Sequence, residues 1–185
     1  MAVEVEIKLK IDHPDRVTEK LENLEFTAGR RMLESDTYFT SEQHDFVKLG
    51  EALRVRQVRD LETEHETAAI TYKGKKLDNR SMAREELEIQ IADAKTGRLL
   101  LERIGFYSVP VVEKIRNYLH REEMTACVDQ VKGLGDYLEL EIIVETEAER
   151  AAALQKIESI LERLGYSMED TIRHSYLSML TEVER

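Results

Sequence analysis

Val3-Glu4-Val5-Glu6-Ile7-Lys8-Leu9-Lys10-Ile11 is the stretch on which the fold turns. Val3, Val5, Ile7, Leu9 and Ile11 fall on one side, and Glu4, Glu6, Lys8 and Lys10 on the other. A period of two sustained this long marks a β-strand with one apolar and one charged face. Asp12-His13-Pro14 follows and opens a helix, with Asp12 suited to the N-cap and Pro14 to the first turn. Val17, Leu21 and Leu24 give that helix an apolar stripe.

The same alternation recurs down the chain. Strands are expected over 26–39, Ala52–Val58, Ala68–Lys73, Arg80–Ile91, Val109–Arg121, Met124–Val131 and Asp136–Glu145. Ser41–Gly50 reads as an irregular connection and Gly74–Asn79 as a basic turn. Gly133 and Gly135 read as turn glycines supplying positive φ. Helices are expected over Thr96–Ile104, Glu147–Leu164 (stopped by Gly165) and Glu169–Leu180. This gives about eight strands and four helices, undivided by linker or repeat. It predicts an α+β chain with a closed antiparallel barrel or a strongly curved sheet, forming a single domain over 1–185.

Composition narrows the function classes. The chain has 185 residues, room for one domain with a sizeable core. Its 27 Lys and Arg against 38 Asp and Glu leave a formal charge of −11, a field that repels nucleic acid and anionic membrane. Anions can still bind where basic residues cluster or metal ions intervene. One cysteine, Cys127, permits no intrachain disulfide, so a cytoplasmic setting is expected, with the thiol buried rather than nucleophilic. No apolar run approaches the roughly 18 residues of a membrane span. The charged, alternating N-terminus does not read as a signal peptide. The five histidines show no helical i, i+4 pairing suited to zinc.

What stands opposite the aliphatic residues is more informative. Glu4/Glu6, Glu86/Glu88 and Glu139/Glu141 are acidic doublets at i, i+2; Arg54/Arg56 and Lys114/Arg116 are basic ones. Lys8 shares the face of Glu4 and Glu6, and Arg84 that of Glu86 and Glu88. Like charges about 7 Å apart repel by roughly 0.6 kcal/mol in water and about 2.4 at an effective dielectric of 20. A wet face tolerates such doublets but gains nothing from repeating them. A barrel closed with this face inward would instead line a cavity with carboxylates and with Lys and Arg. A polyphosphate carrying divalent metal neutralises both. Periodicity alone leaves the orientation open, because a solvated outer face alternates in the same way.

The ordered series resembles the CYTH family, also called triphosphate tunnel metalloenzymes. The matching pieces are Glu4-x-Glu6-x-Lys8, Asp36-Thr37-Tyr38-Phe39, Leu53-Arg54-Val55-Arg56, Thr71-Tyr72-Lys73-Gly74, Arg84-x-Glu86-x-Glu88, Glu113-Lys114-Ile115-Arg116, Asp129, Gly133 to Glu141, and Ser175-Tyr176. The resemblance leans toward class IV adenylyl cyclase-like (CyaB-like) proteins. It implies an eight-stranded tunnel with the polar face inward. It implies that Glu4, Glu6, Glu139 and Glu141, with Glu86 and Glu88, are carboxylates for Mg²⁺ or Mn²⁺. Lys8, Arg54, Arg56, Lys73, Arg84, Lys114 and Arg116 would hold a triphosphate. Asp129 resembles a further acidic site residue, and Tyr38 with Lys73 resembles a pair that helps activate water. The implied activity is cyclisation of ATP, a phosphorus–oxygen lyase reaction. The alternatives are hydrolysis of thiamine triphosphate, inorganic triphosphate or another organic triphosphate, and non-catalytic sensing of a polyphosphate or nucleotide. A homodimer through the helical exterior is compatible with the sequence and not required by it.

Overall fold

The computed structural model describes residues 3–77 and 81–183. Its strands are β1 (Val3–Lys10), β2 (Thr27–Thr40), β3 (Ala52–Asp60), β4 (Glu66–Lys76), β5 (Arg84–Ile91), β6 (Tyr107–Arg121), β7 (Met124–Val131) and β8 (Gly135–Val144). Its α-helices are α1 (Pro14–Asn23), α2 (Phe46–Leu49), α3 (Ala94–Arg103), α4 (Arg150–Leu164) and α5 (Tyr176–Val183). The strands close into a barrel in the order β1-β5-β4-β3-β2-β6-β7-β8, and every pairing is antiparallel.

Closure settles the orientation. Val5, Ile7 and Leu9 of β1 pack outward with Leu138, Leu140 and Ile142 of β8. They lie against Val17 and Leu21 of α1 and Leu154, Ile157 and Leu161 of α4. The apolar strand faces are therefore the core, sealed by helices, and the charged faces look into the lumen. A second, smaller cluster joins Val55, Ala68 and Phe39 to Ala94 and Leu101 of α3. Gly97 lets α3 approach the sheet: a Cβ there would stand 2.4 Å from Ile91 Cδ1. A third cluster, Val112, Val131, Tyr137 and Tyr176, seats α5 on one end of the barrel.

Several expectations need correction. The residue at the N-cap of α1 is His13, and no side chain caps that helix, so Asp12 does not take that role. Pro14 does sit in the first turn. The segment read as irregular contains α2, with Asp45 accepting from the Lys48 amide at its start. This fifth helix was invisible to periodicity because four residues carry too little of it. Helix α3 begins earlier than expected, capped by Asp93 through the Thr96 amide. The final helix is broken: a 3₁₀ turn at Met168–Asp170 precedes an extended segment in which Thr171 bridges to Leu9, and α5 starts only at Tyr176. The connection expected at Gly74–Asn79 lies later in the chain, since β4 runs on to Lys76 and β5, expected from Arg80, begins at Arg84; residues 78–80 lie outside the described residues. Gly133, Gly135 and Gly165 all adopt positive φ, as turn and C-cap positions demand.

Candidate functional site

The lumen holds a cavity of about 520 Å³, within the roughly 300–1,000 Å³ usual for small-molecule sites. Of the sequence-predicted residues, Glu4, Glu6, Lys8, Tyr38, Arg54, Arg56, Lys73, Arg84, Glu86, Glu88, Lys114, Arg116, Glu139 and Glu141 all line it. Asp129 is the exception. It is fully buried behind the wall, where it accepts bonds from Lys114 Nζ at 3.1 Å and from Arg116 Nε and Nη2 at 2.6 Å each. Asp129 therefore orients two lining cations rather than facing the lumen itself. His120 sits exposed, stacked on Tyr118 and outside the lining.

One wall, from β2, β3, β6 and β7, is internally neutralised. Asp36 takes Arg56 Nε at 2.6 Å and Nη2 at 2.7 Å, and Arg54 Nη1 at 3.3 Å. Glu34 stands 3.2 Å from Arg56 Nη2 and 3.5 Å from Lys114 Nζ, and it accepts the Tyr118 hydroxyl at 2.6 Å. Burial alone would raise both carboxyls. The flanking cations outweigh it, holding Asp36 at about 2 and Glu34 well below the usual range. Arg54, Arg56, Lys114 and Arg116 keep their charge against the same burial, because these acids face them.

The other wall, from β1, β4, β5 and β8, is not balanced group by group. Lys73 Nζ bridges Glu4 at 2.8 Å and Glu86 at 2.7 Å. Burial opposes the charge on Glu4, yet Lys73 brings it down to about 2. Lys8 stands 3.1 Å from Glu139, which also contacts Arg116. Glu6 and Glu141 lie directly opposite each other across β1 and β8. Burial first, then neighbouring carboxylates, push Glu6 up to about 7 and Glu141 up to about 8. Like charges placed directly opposite destabilise a sheet, and Lys8, 3.9 Å from Glu6, offsets part of that burden.

Lys8 and Lys73 of this wall are paired with acids; Arg84 and Lys76 are not, among the described residues. Among the described residues, Arg84, 8% exposed, donates only to the Met82 carbonyl, at 3.4 Å. Lys76 donates to the Arg173 carbonyl. Burial, followed by Arg84, Arg173 and Lys8, lowers Lys76 to about 8. Arg84, Arg173 and Lys8 thus crowd Lys76, and Glu6 partly offsets them.

The donor chemistry fits a hard divalent ion: Glu4, Glu6, Glu139 and Glu141 are oxygen ligands on two adjacent strands. As they stand, no group of three or more such side chains among the described residues is gathered closely enough to hold one. Glu4 is committed to Lys73 and Glu139 to Lys8 and Arg116. Those ion pairs engage Glu4 and Glu139 within the lumen.

The residues that periodicity missed are instructive. Glu34 and Asp36 share the inward face of Tyr38, and Tyr118 that of Lys114 and Arg116, so the i, i+2 rule applied more widely would have found them. Lys76 has the wrong parity for Lys73. A register break between Lys73 and Lys76 turns it inward. Arg173, His174 and Tyr176 come from the C-terminal segment, where no strand pattern applies. The Tyr176 hydroxyl donates to Asp129 at 2.9 Å, and its ring lies 4.0 Å from Lys8 Nζ.

Comparison with known proteins gives a consistent result. Residues 2–176 match the CYTH domain profile. A Methanocaldococcus jannaschii protein, whose adenylate cyclase assignment is itself provisional, is 38% identical over 96% of this chain and 98% of its own. The Aeromonas hydrophila adenylate cyclase CyaB is 25% identical over 79% of this chain and 71% of its own. The solved structure of PH1819 from Pyrococcus horikoshii superposes with a TM-score of 0.88 at 36% identity, covering 98% of this chain and 99% of that one.

Proposed function

The chain belongs to the CYTH domain family, and from that premise we propose that it is a metal-dependent enzyme converting ATP to cyclic AMP and pyrophosphate, acting in the cytoplasm. The observation that carries a triphosphate substrate is the unbalanced wall. Buried Arg84 and half-buried Lys76 bond carbonyls, while Glu6 and Glu141 stand directly opposite each other, Glu6 with Lys8 at 3.9 Å. A metal–triphosphate supplies both missing partners at once. Burying unmatched charge costs several kcal/mol per ion, and ligand binding is the physical reason to retain it. The preference for cyclisation rests on the relatives that bear the adenylate cyclase name.

In this reading Lys8, Lys73, Arg84, Lys114 and Arg116 grip the phosphate oxygens, with Arg54 and Arg56 fixed by Asp36. Glu4, Glu6, Glu139 and Glu141 would hold Mg²⁺ or Mn²⁺, with Glu86 and Glu88 beside them. When bound, the ion neutralises charge developing on the phosphates. The ribose 3′-oxygen forms a bond to the α-phosphorus as the bond from that phosphorus to the bridging oxygen breaks. The hydroxyl proton passes to solvent water, and pyrophosphate leaves with the electron pair. Preorganised cations around the leaving group supply the stabilisation. Asp129, sealed behind the wall, holds Lys114 and Arg116 in position rather than touching substrate.

Hydrolysis, the second reading, needs the same grip but water at the terminal phosphorus. It would use Tyr38 and Lys73. Lys73 is here clamped between Glu4 and Glu86, which hold its ammonium above its ordinary range against burial, so it acts as a charge rather than a base. The test is a product analysis with Mg²⁺ or Mn²⁺ and, in parallel, ATP, thiamine triphosphate and inorganic triphosphate. Cyclic AMP and pyrophosphate from ATP are expected. Orthophosphate without cyclic AMP replaces the cyclase reading with the triphosphatase one. Binding without turnover replaces both with a sensor.

A further inference from the structure

The C-terminal segment reaches the lumen without being part of its wall of strands. Thr171 bridges Leu9, and the Ile172 amide donates to the Lys8 carbonyl at 2.7 Å, so the segment is tied along the end of β1. It brings Tyr176, the first residue of α5, to the lining, where it is 6% exposed. Tyr176 clusters there with Val112 and Val131, and Tyr137 meets its ring edge-on at 5.2 Å. That apolar seat explains why an aromatic ring is buried at this place. It does not explain what the ring face and the hydroxyl touch.

The hydroxyl donates to Asp129 Oδ2 at 2.9 Å. The same oxygen accepts from Lys114 Nζ at 3.1 Å and from Arg116 Nη2 at 2.6 Å, so three donors converge on it. The centre of the ring lies 4.0 Å from Lys8 Nζ and 5.2 Å from Lys114 Nζ, inside the roughly 6 Å reach of a cation–π attraction. Burial, then Glu139 and Asp129, hold the phenol well above its ordinary range, so it stays a neutral donor. A phenol thus braces three lining cations without cancelling the charge of any. A carboxylate in its place would compete with an anion for Lys8 and Lys114, and a phenylalanine would leave Asp129 one donor short.

We propose that Tyr176 is a positioning residue for the phosphate grip, an assignment that rests on the lumen binding a metal–triphosphate. Its ring holds Lys8 and Lys114 directly, and its hydroxyl holds Lys114 and Arg116 through Asp129. Docking of the C-terminal segment therefore sets the geometry of three lining cations. A purely structural Tyr176 would fill the seat of α5 and do nothing more. Leu180 packs in the same seat but outside the lining, and so separates the two roles.

The experiment measures the affinity for inorganic triphosphate with Mg²⁺ by calorimetry, and Tm alongside it. Tyr176→Phe keeps the ring and the seat, and is expected to weaken binding about fivefold, the worth of one hydrogen bond. Tyr176→Leu loses the ring face as well and should weaken binding at least about tenfold. Leu180→Ala loosens the seat alone; it should lower Tm and leave the affinity within about twofold of wild type. Wild-type affinity in folded Tyr176→Phe overturns the route through the hydroxyl, and wild-type affinity in folded Tyr176→Leu overturns the whole proposal; in both cases the triphosphate reading stands. A loss in Leu180→Ala as large as that in Tyr176→Leu also overturns the proposal, since docking alone would then explain it. A wild type that binds no triphosphate overturns the reading of the lumen and this proposal with it. Should Tyr176→Leu fail to fold, Tyr176→Phe decides.

Discussion

The two walls of the lumen carry similar residues and do different jobs. In the β2–β3–β6–β7 wall every cation has a buried acid beside it: Asp36 for Arg54 and Arg56, Glu34 and Asp129 for Lys114, Asp129 for Arg116. Its ion pairs are formed, although Arg54 Nε and Glu34 Oε2 are buried without a hydrogen-bond partner. In the β1–β4–β5–β8 wall, Glu6 faces Glu141, and Lys76 and Arg84 bond carbonyls. The difference separates cations that sit against buried acids from groups whose partners are carbonyls or like charges. Removing the buried acids of the first wall should therefore change stability, while removing a lining cation of either wall or a carboxylate of the second should change ligand response.

The largest expected effect is on turnover. Glu6→Gln or Arg54→Ala should reduce it at least about a hundredfold, with circular dichroism unchanged. Retained activity in either variant with an intact fold would sink the assignment of the lumen as the active site. Next comes Asp129→Ala, which leaves Lys114 and Arg116 short of their buried partner. It should cost about 3–5 kcal/mol, read as a fall in Tm of roughly 6–20 °C. A Tm unchanged by Asp129→Ala would erase the distinction between the walls.

The pH response sharpens it further. Glu6 and Glu141 have folded-state values of about 7 and about 8, above an unfolded value of 4.5. Groups raised in this way stabilise the fold below the unfolded value and lose that contribution as pH rises through the folded one. Unliganded Tm should therefore decline between about pH 4.5 and pH 8, by a few kcal/mol of stability. Excess Mg²⁺ should flatten the decline. Glu4 and Asp36, both lowered to about 2, act the other way: their contribution is present above the unfolded value and is lost as pH falls toward 2. A Tm that climbs from pH 5 to pH 8 without metal would contradict the like-charge pairing. The smallest effect expected is from Glu141→Gln. It removes one member of the repelling pair and, above about pH 8 where Glu141 is ionised, should stabilise the unliganded protein by a few tenths of a kcal/mol, up to about 2. It should also weaken the rise in Tm on adding Mg²⁺, and a rise equal to that of wild type would exclude Glu141 from the metal site.

Most of the site was legible from the sequence because an extended strand fixes side-chain direction by parity alone. Glu4, Glu6 and Lys8 had to share a face whatever the rest of the chain did. Where parity holds, as in β1, β3, β6 and β8, the predicted residues all reached the lumen. It failed at Lys76 because a bulge resets the alternation, and at Arg173 and Tyr176 because they come from a segment without one. It also could not tell Asp129 from its neighbours, since burial behind Lys114 and Arg116 is a property of the wall.

The sequence by itself determined the strands, their two chemically distinct faces and the repetition of like charges, since these follow from residue type and a period of two. Only the tertiary structure decided which face is inside. Closure depends on the long-range pairing of β1 with β8 and β5, and on α1 and α4 covering the aliphatic side. It also decided which charges are neutralised, because Asp36 meets Arg56 and Asp129 meets Arg116 only across strands. Pairing partners and registers are set by the whole sheet, and no local pattern contains them.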